Sequence, residues 1–557
     1  MKRPRPVLGG AAAATRAAAR AATGAAAWAT TWAIGAGCAY AAADAPWADE
    51  AAAAQVQARI GLPRPLALAA SWDRELIEQA YASLGAQLAA LHKQAVLAPA
   101  LDVLRDVRRG DASASFGEDP YLTGELGAAA VLGLQAPRAG RAQIAAVVGH
   151  FAGPQLPPPG SDLGPMPVSP RELREVFAAP FEAVLSRAHP AGVLLSDNEI
   201  DGLPSQANPA LVQMLKQDWH YAGAVLASPR GLRGLVDVYH LAATPTQALA
   251  LAQQAGADGV AGEAKAPVAE AATGTAFSAA GSTGVSAAVS TAVLAQRAAR
   301  ESIVLLKNDG TLPLTANAKT AVLRVADATA ATLAHVDVPT GTFVLVLSGR
   351  IPPPSPALTD LVSRASAVLA GFELGTQGRA ALDDALAGRI NPGGKLPLSL
   401  ARNAGQLPMF YSVKPSAGRG YLFDTTQPLF PFGWGLSYTH FELGAPQLAA
   451  ATVRVGEPAQ VSVEVRNSGA RTGAQVVQLY LRHRASSTTQ PVKQLVGFAR
   501  VTLAPGEHQT LRFDVAPAQR LLCNEAMHRV EEPGDYELMS GANSAELQST
   551  TLKVLSP

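Results

Sequence analysis

Through the first half of the chain, short apolar runs alternate with longer amphipathic stretches. Val96 to Val103, Ile144 to Gly149, Ala191 to Ser196 and Ala224 to Ala227 are nearly continuous apolar runs of strand length. Between and around them, Leu66 to His92, Gly124 to Leu134, Pro170 to Arg187, Pro209 to His220 and Thr246 to Ala255 carry helical spacing. Strands that are apolar on both faces and separated by helices predict parallel βαβ units. A succession of such units predicts a (β/α)-barrel, or part of one, over residues 55–261. Residues 262–290 are rich in Ala, Gly, Ser and Thr without periodicity, which reads as a linker. A second α/β segment, 291–442, holds the apolar strand Phe343 to Leu347 and the turn Asn391-Pro-Gly-Gly-Lys-Leu-Pro397. Beyond 443 the period changes to two. Gln460 to Arg466, Val476 to Leu481, Leu511 to Val515 and Tyr536 to Leu538 alternate apolar with polar positions between Gly, Pro and Asn. That pattern predicts an all-β sandwich over 443–557. The expected fold class is therefore multidomain α/β plus all-β: a shortened (β/α)-barrel, an α/β sandwich domain and a C-terminal β-sandwich.

With 557 residues, 48% hydrophobic and 16% charged, the chain can fill more than one core, and general disorder is excluded. The net charge of +1 comes without a basic stripe or an acidic tail, which argues against nucleic acid as a partner. The N-terminus changes the picture more. Lys2, Arg3, Arg5, Arg16 and Arg20 precede an uncharged stretch from Ala21 to Ala43 that ends in Cys38-Ala-Tyr-Ala-Ala-Ala43. A positive start, an apolar middle and small residues at the end read as a secretory leader over 1–43, so the chain is expected to be exported, periplasmic or secreted. An alanine-rich tail and an uncleaved membrane anchor are the alternatives, and Gly35-Ala-Gly-Cys38 loosely resembles a lipoprotein site. No membrane span is expected in the mature chain. Once the leader is removed, Cys523 has no cysteine to pair with inside the chain.

The chemistry is carried by long motifs in a fixed order: Ser115-Phe-Gly-Glu-Asp-Pro-Tyr-Leu-Thr-Gly124, Arg300-Glu-Ser-Ile-Val-Leu-Leu-Lys-Asn-Asp-Gly310 and Pro431-Phe-Gly-Trp-Gly-Leu-Ser-Tyr438. Ala69-Ala-Ser-Trp-Asp73, Ala98-Pro-Ala-Leu-Asp-Val103, Gly149-His-Phe-Ala-Gly153 and Gly202-Leu-Pro204 fall between them, and Gln494-Leu-Val-Gly-Phe498 and Leu503-Ala-Pro-Gly-Glu507 follow. From about Arg59 to Leu555 the chain resembles glycoside hydrolase family 3, in its three-domain form with a C-terminal fibronectin type III-like domain. The resemblance implies a β-glucosidase-type exo-glycosidase. Such an enzyme retains configuration with a nucleophilic and an acid/base carboxyl group roughly 5–5.5 Å apart.

Residue by residue, the resemblance carries over incompletely. The nucleophilic aspartate falls at Ser228, in Gly223-Ala-Val-Leu-Ala-Ser228, with Ala227 and Pro229 on either side. The acid/base glutamate should lie between the Leu-Leu-Lys-Asn motif and the strand at Phe343. That interval, Thr315 to Thr342, holds only Asp327 and Asp337 as carboxylates. Asp337 precedes Pro339 and reads as a turn residue. An arginine of the sugar site falls at Asp111, a glutamate at Ala114 and a lysine at Gly149, which leaves His150 and Asp102 as substrate-binding candidates. The first barrel loop reads as cut down to Leu62-Pro-Arg-Pro65. Glu118 and Asp119, just before Pro120, read as helix-capping or loop-pairing residues.

The acidic run Ser196-Asp-Asn-Glu-Ile-Asp201 ends a predicted strand, so Asp197 and Glu199 are candidates for relocated carboxylates. No His/Cys cluster has zinc spacing and no Gly-rich phosphate loop precedes a helix, so no metal and no cofactor are expected. The functional expectations are a family 3 homologue of carbohydrate metabolism with impaired catalysis, holding an oligosaccharide or β-glycoside ligand. The alternatives are an active β-glycosidase with relocated carboxylates and a non-catalytic interaction module.

Overall fold

The computed structural model describes residues 46–108, 112–137, 144–153, 162–263, 290–315, 319–420 and 424–557. The predicted leader and nearly all of the predicted linker lie outside these residues, as does Asp111. Where the sequence predicts barrel units, the structure has a six-stranded parallel sheet: β1 (Trp47–Ala48), β2 (Ala95–Ala100), β3 (Ala145–Phe151), β4 (Gly192–Leu195), β5 (Ala224–Ala227) and β6 (Gly259–Val260), paired in that order. Among the described residues β1 and β6 do not pair with each other, so the shortened barrel is an open, curled sheet. Its strands are apolar because helices cover it. Several of those helices start on one device: a short polar residue accepts a hydrogen bond from the first turn and proline follows at the first helical position. Asp119-Pro120, Asn208-Pro209, Ser228-Pro229 and Thr244-Pro245 all do this.

Two expected helices are interrupted. Leu173–Phe177 and Met214–Asp218 are π-helical, so the Pro170 and Pro209 segments do not run as single α-helices. The helix Pro229–Asp237, by contrast, went unread in the periodicity.

The second segment forms a four-stranded sheet of β7 (Val304–Asn308), β8 (Ala321–Ala326), β9 (Phe343–Gly349) and β10 (Ala367–Phe372), in the order β7-β10-β9-β8. β7 is antiparallel to β10 and the other pairings are parallel. The last segment is a sandwich of antiparallel ribbons. One sheet is built on Ala459–Asn467 and His508–Val515, and the facing five-stranded sheet on Gly473–His483, Gln494–Leu503, Gly534–Gly541 and Leu547–Leu555. Alternating burial along Ala459–Asn467 follows the predicted period of two.

All three segments meet at one buried junction. Trp72 is 1% exposed and packs against Phe432 and Phe498, with ring centroids 5.2 and 5.3 Å away. Tyr411 stacks on Phe432 at 4.6 Å. The polar side of the junction is Glu118 and Asp119. Glu118 accepts from the Ser399 backbone N–H (2.6 Å), the Ser399 hydroxyl (2.9 Å) and the Tyr411 N–H (3.0 Å). Asp119 caps helix Pro120–Leu134 by accepting from the Leu122 N–H and also accepts from the Tyr411 hydroxyl, both at 2.7 Å. The Tyr411 oxygen in turn accepts from the Leu495 N–H of the sandwich at 2.7 Å. Asp119 is thus the cap that its position suggests, whereas Glu118 reaches across to the second segment. Gly117 permits that approach: a Cβ there would come within 2.1 Å of the Pro397 carbonyl oxygen.

Two outcomes follow. Tyr411→Phe leaves a buried carboxylate oxygen and a buried N–H unpaired, and should cost about 2–4 kcal/mol in urea denaturation. The second concerns pH. Burial pushes Glu118 up to about 7 and Asp119 up to about 6, against the hydrogen bonds they accept and the nearby Arg105. Both folded values lie above ordinary carboxyl values. The pair's contribution is therefore fully present below about pH 4 and is lost as pH rises through 6 and 7. Scanning calorimetry across that range should show a melting temperature that declines with pH, and a shallower decline in Glu118→Gln. Equal slopes in both proteins would rule the junction out as the source.

Candidate functional site

Strand order brings the chemistry-bearing residues to one edge of the open sheet. Glu50 lies just past β1, Asp102 just past β2, His150 near the end of β3, Asp197 just past β4 and Ser228 directly after β5. Carboxyl ends of parallel strands are where the polypeptide leaves a covered sheet, so side chains there can face a common hollow without breaking the core. Glu50 was invisible to sequence reasoning. Trp47–Ala48 is too short to register as a strand, and without it nothing marks Glu50 as a strand-end residue. Asp49, between them, caps helix Glu50–Arg59 by accepting from the Ala52 N–H at 2.8 Å. The first barrel strand therefore ends at 48, ahead of the Leu62-Pro-Arg-Pro65 turn that the sequence reading took as the remnant of the first loop.

His150 is held from both sides. Its Nδ1 lies 3.1 Å from Asp102 Oδ2, its backbone N–H donates to Asp102 Oδ1 at 3.1 Å, and its Nε2 lies 3.3 Å from Glu50 Oε1. Asp102 is 1% exposed, His150 19% and Glu50 42%, so the trio runs from the sheet interior outward. A buried carboxylate on one ring nitrogen fixes the orientation of the imidazole. It also leaves a negative group in the floor of the site.

Ser228 has a different occupation from the one its alignment suggests. Its Oγ accepts from the Arg230 and Gly231 N–H groups, both at 3.2 Å, and so caps helix Pro229–Asp237. Its own N–H donates to Gln206 Oε1 at 3.0 Å, while Gln206 Nε2 donates to the carbonyls of Leu195 and Ser196 at the end of β4. The Ser228 hydroxyl also favours the ionised form of the Asp197 carboxyl group. A hydroxyl used this way is a structural group, although Ser228-Pro229 carried the capping signal in plain view.

Asp197 is the residue that the fold turns inward from the acidic run. Its side chain is 14% exposed; Arg230 Nε stands 3.9 Å away and Oδ1 is buried with no hydrogen-bond partner. Burial raises its pKa, partly opposed by Ser228, His150 and Arg230. Its carbonyl and that of Leu163 share the Tyr239 hydroxyl. Glu199 instead enters a short ribbon with Pro165–Met166 and Leu203–Pro204, and Asp201 takes a left-handed turn conformation (φ 52°) before Gly202. Arg230, whose guanidinium is engaged by Asp162 at the rim, and Tyr239 are further site residues that the sequence reading did not single out.

The second segment contributes little at this edge. Asp337 is exposed in the loop after helix Ala330–Ala334, where Val336 and Val338 pack on the second segment's own core. Asp327 sits in a turn and accepts from the Arg350 N–H at 2.9 Å. A cleft of about 410 Å³ does open on this segment, between residues such as Leu306, Arg402, Phe430 and Trp434, but none of the strand-end residues lines it. The candidate residues gather at the strand ends, and the candidate site is taken there. Among the described residues, no three His, Cys, Asp or Glu side chains gather as a metal ion would require, and no helix is long and apolar enough to cross a membrane.

With this geometry in hand, comparison with known proteins is informative. The glycosyl hydrolase family 3 N-terminal domain matches residues 50–262, the family's C-terminal domain 327–438 and a fibronectin type III-like domain 475–544. A β-xylosidase from Formosa agariphila is 28% identical, the match covering 88% of this chain and 87% of that one. A periplasmic β-glucosidase from Salmonella typhimurium is 27% identical over 82% of this chain and 80% of its own. Among solved structures, a β-glucosidase from Erythrobacter marinus superposes with a TM-score of 0.77 at 25% identity, covering 89% of this chain and 85% of that one. A Listeria innocua β-glucosidase solved with isofagomine shares the fold, with a TM-score of 0.75 at 22% identity over 89% and 87%. The matched segments follow one another in the order of the three structural units described above, and the chain belongs to glycoside hydrolase family 3.

Proposed function

We propose that this protein is an exported family 3 member that holds the terminal sugar of a β-glycoside at the strand-end site and hydrolyses it poorly or not at all. The observation that carries this reading is the occupation of Ser228. A retaining mechanism needs a carboxylate that attacks and stabilises an oxocarbenium-like transition state. The position holds a hydroxyl already bound to two backbone N–H groups. Nor does the interval that should supply the acid offer one, since Asp327 is tied into a turn and Asp337 is exposed on its own segment's loop. Binding asks for less: hydrogen-bonding groups fixed around a sugar, which Asp102, His150 and Glu50 supply. Export rests on the 1–43 pattern, with support from the relative named as periplasmic.

A second reading has one observation in its favour. Asp197 is the carboxylate beside the nucleophile position, and its Oδ1 is unpartnered. In that reading Asp197 attacks and the protein is an active β-glycosidase.

Release of nitrophenol from a panel of aryl β-glycosides separates the two, because a good leaving group removes the need for an acid. The wild type is expected at background. Ser228→Asp combined with Asp197→Asn keeps a good helix cap, restores a carboxylate where the family has one and removes its like-charged neighbour. Turnover should then rise about tenfold or more. Clear wild-type turnover that vanishes in Asp197→Asn would overturn the impaired reading. For export, a C-terminally tagged full-length chain is expected outside the cytoplasm with its N-terminus near Asp44; an intact Met1 in the cytoplasm would refute it.

A further inference from the structure

Away from the strand ends, the cleft of about 410 Å³ on the second segment is a hollow that the strand-end chemistry leaves unused. Three elements enclose it: the end of β7, the helix Pro356–Arg364, and residues 429–436, which run beside β7 through the Leu305–Leu436 bridge. Leu306, Val362 and Phe430, all buried, give it an apolar base. Trp434, half-buried, lines it as well, tilted 34° to Phe430 with ring centroids 6.2 Å apart. Its indole N–H donates inward to the Leu306 carbonyl at 2.9 Å, so Trp434 has an aromatic surface to offer a ligand and no donor.

The polar groups of the cleft are equally specific in what they have left. Thr359 Oγ1 donates to the Arg402 carbonyl and Ser363 Oγ to the Asp360 carbonyl, both at 2.8 Å. Each hydroxyl has thus used its hydrogen and keeps acceptor capacity alone, as does the exposed Asp309 carboxylate. Lys307 is engaged: its Nζ donates to the Ser363 carbonyl at 3.0 Å and lies 3.4 Å from Asp309. Arg402 has more to give. It spends Nε on the Gln427 carbonyl at 3.2 Å, and among the described residues neither terminal nitrogen meets an acceptor. With Asp309 balanced by Lys307, the cleft carries one positive charge, on a fork shaped for a carboxylate.

We propose that this cleft binds a glycuronic acid unit of an oligosaccharide. The pyranose ring lies against Trp434, its carboxylate takes the Arg402 fork, and its hydroxyls donate to Asp309, Thr359 and Ser363. Such a site goes beyond the strand-end reading and does not rest on it. The volume lies in the range of small-molecule sites. A neutral hexose would leave the Arg402 fork unanswered, and a bare carboxylate would leave the acceptors and the aromatic surface unused. A glycuronic acid matches all three, because its ring has apolar C–H faces, hydroxyl donors at the edge and one anionic group.

Saturation-transfer NMR titrations of the full chain at matched low salt test this with methyl β-D-glucuronide, its methyl ester, methyl β-D-glucoside and benzoate. The glucuronide is expected to bind about tenfold tighter than the ester, which keeps the ring without the charge. The ester and the glucoside should match, benzoate should fall below the glucuronide, and high salt should narrow the difference. In Arg402→Gln the glucuronide should drop to the ester's affinity while the ester itself is unchanged. Ser363→Trp, which fills the cleft from an exposed helix position, should abolish the difference, and His150→Ala at the strand ends should leave it in place. Circular dichroism checks the fold of each variant. Equal affinity for glucuronide and ester would overturn the cleft inference, as would benzoate binding as tightly as the glucuronide. A difference that survives both cleft variants and vanishes in His150→Ala would also overturn it, and would leave the strand-end reading standing. Glucuronide binding that Ser363→Trp removes entirely, with His150→Ala changing the affinity of no sugar, would sink the strand-end reading alone.

Discussion

A single buried carboxylate holds this molecule in register. Glu118 leaves the first sheet and spends both its oxygens on Ser399 and Tyr411 of the second segment, while its neighbour Asp119 fixes the Tyr411 hydroxyl that receives the Leu495 N–H of the sandwich. Three units with separate sheets would otherwise meet as mobile bodies, because contacts between domains in one chain are usually modest and polar. Here the polar contacts are sealed under Trp72, Phe432 and Phe498, where water cannot compete for them. An open parallel sheet depends on cover from its neighbours more than a closed barrel does, since closure is what removes edges. The junction is what allows the first sheet to remain open and still present an ordered row of strand ends.

At those strand ends, two demands compete for one residue. The helix after β5 needs a side-chain acceptor at its first turn, and Ser228 supplies it. The family's reaction needs a carboxylate at the same position. An aspartate can serve both, because one oxygen caps while the other faces the site; a serine has one oxygen and gives it to the helix. A serine there preserves the local structure, and on the proposed reading it is how the fold stays complete while the nucleophile is given up. For Asp197 to take the role, Ser228, His150 and Arg230 would have to hold it ionised against its burial.

Much of the fold was legible because it is written in patterns that local physics enforces. Ala224–Ala227 is apolar on both faces, since Val225 and Ala227 pack under helices while Ala224 and Leu226 pack on side chains of the neighbouring strands, and it was readable at its true limits. Other positions were not readable for equally physical reasons. The π-helical turns at Leu173–Phe177 and Met214–Asp218 leave the apolar spacing nearly helical, so nothing in the periodicity reports them. The strand Gln494–Leu503 keeps Gly497 and Phe498 buried next to each other at the three-way junction, which breaks the alternation expected of a sandwich strand. In the site, the acidic run at Asp197 could be located but not sorted. Which carboxylate turns inward depends on the left-handed turn at Asp201 and Gly202 and on Tyr239, a residue 42 positions away that grips the Asp197 carbonyl. Glu50 was hidden by the brevity of its strand.

What family membership implies and what these residues can do are separate matters. Membership accounts for the order of the three segments and for the fold, which depend on backbone geometry and buried surface that sequences as divergent as 25–28% identity still share. It does not account for the charge of the site, which depends on individual side chains at exposed strand ends, where substitution is structurally cheap. Gly149 and Ser228 both fit the fold, Gly149 within its strand and Ser228 as a helix cap, so the fold itself places no demand for a charged side chain at either position. Where fold and site respond to different constraints in this way, the side chains at the strand ends are the better guide to ligand and reaction.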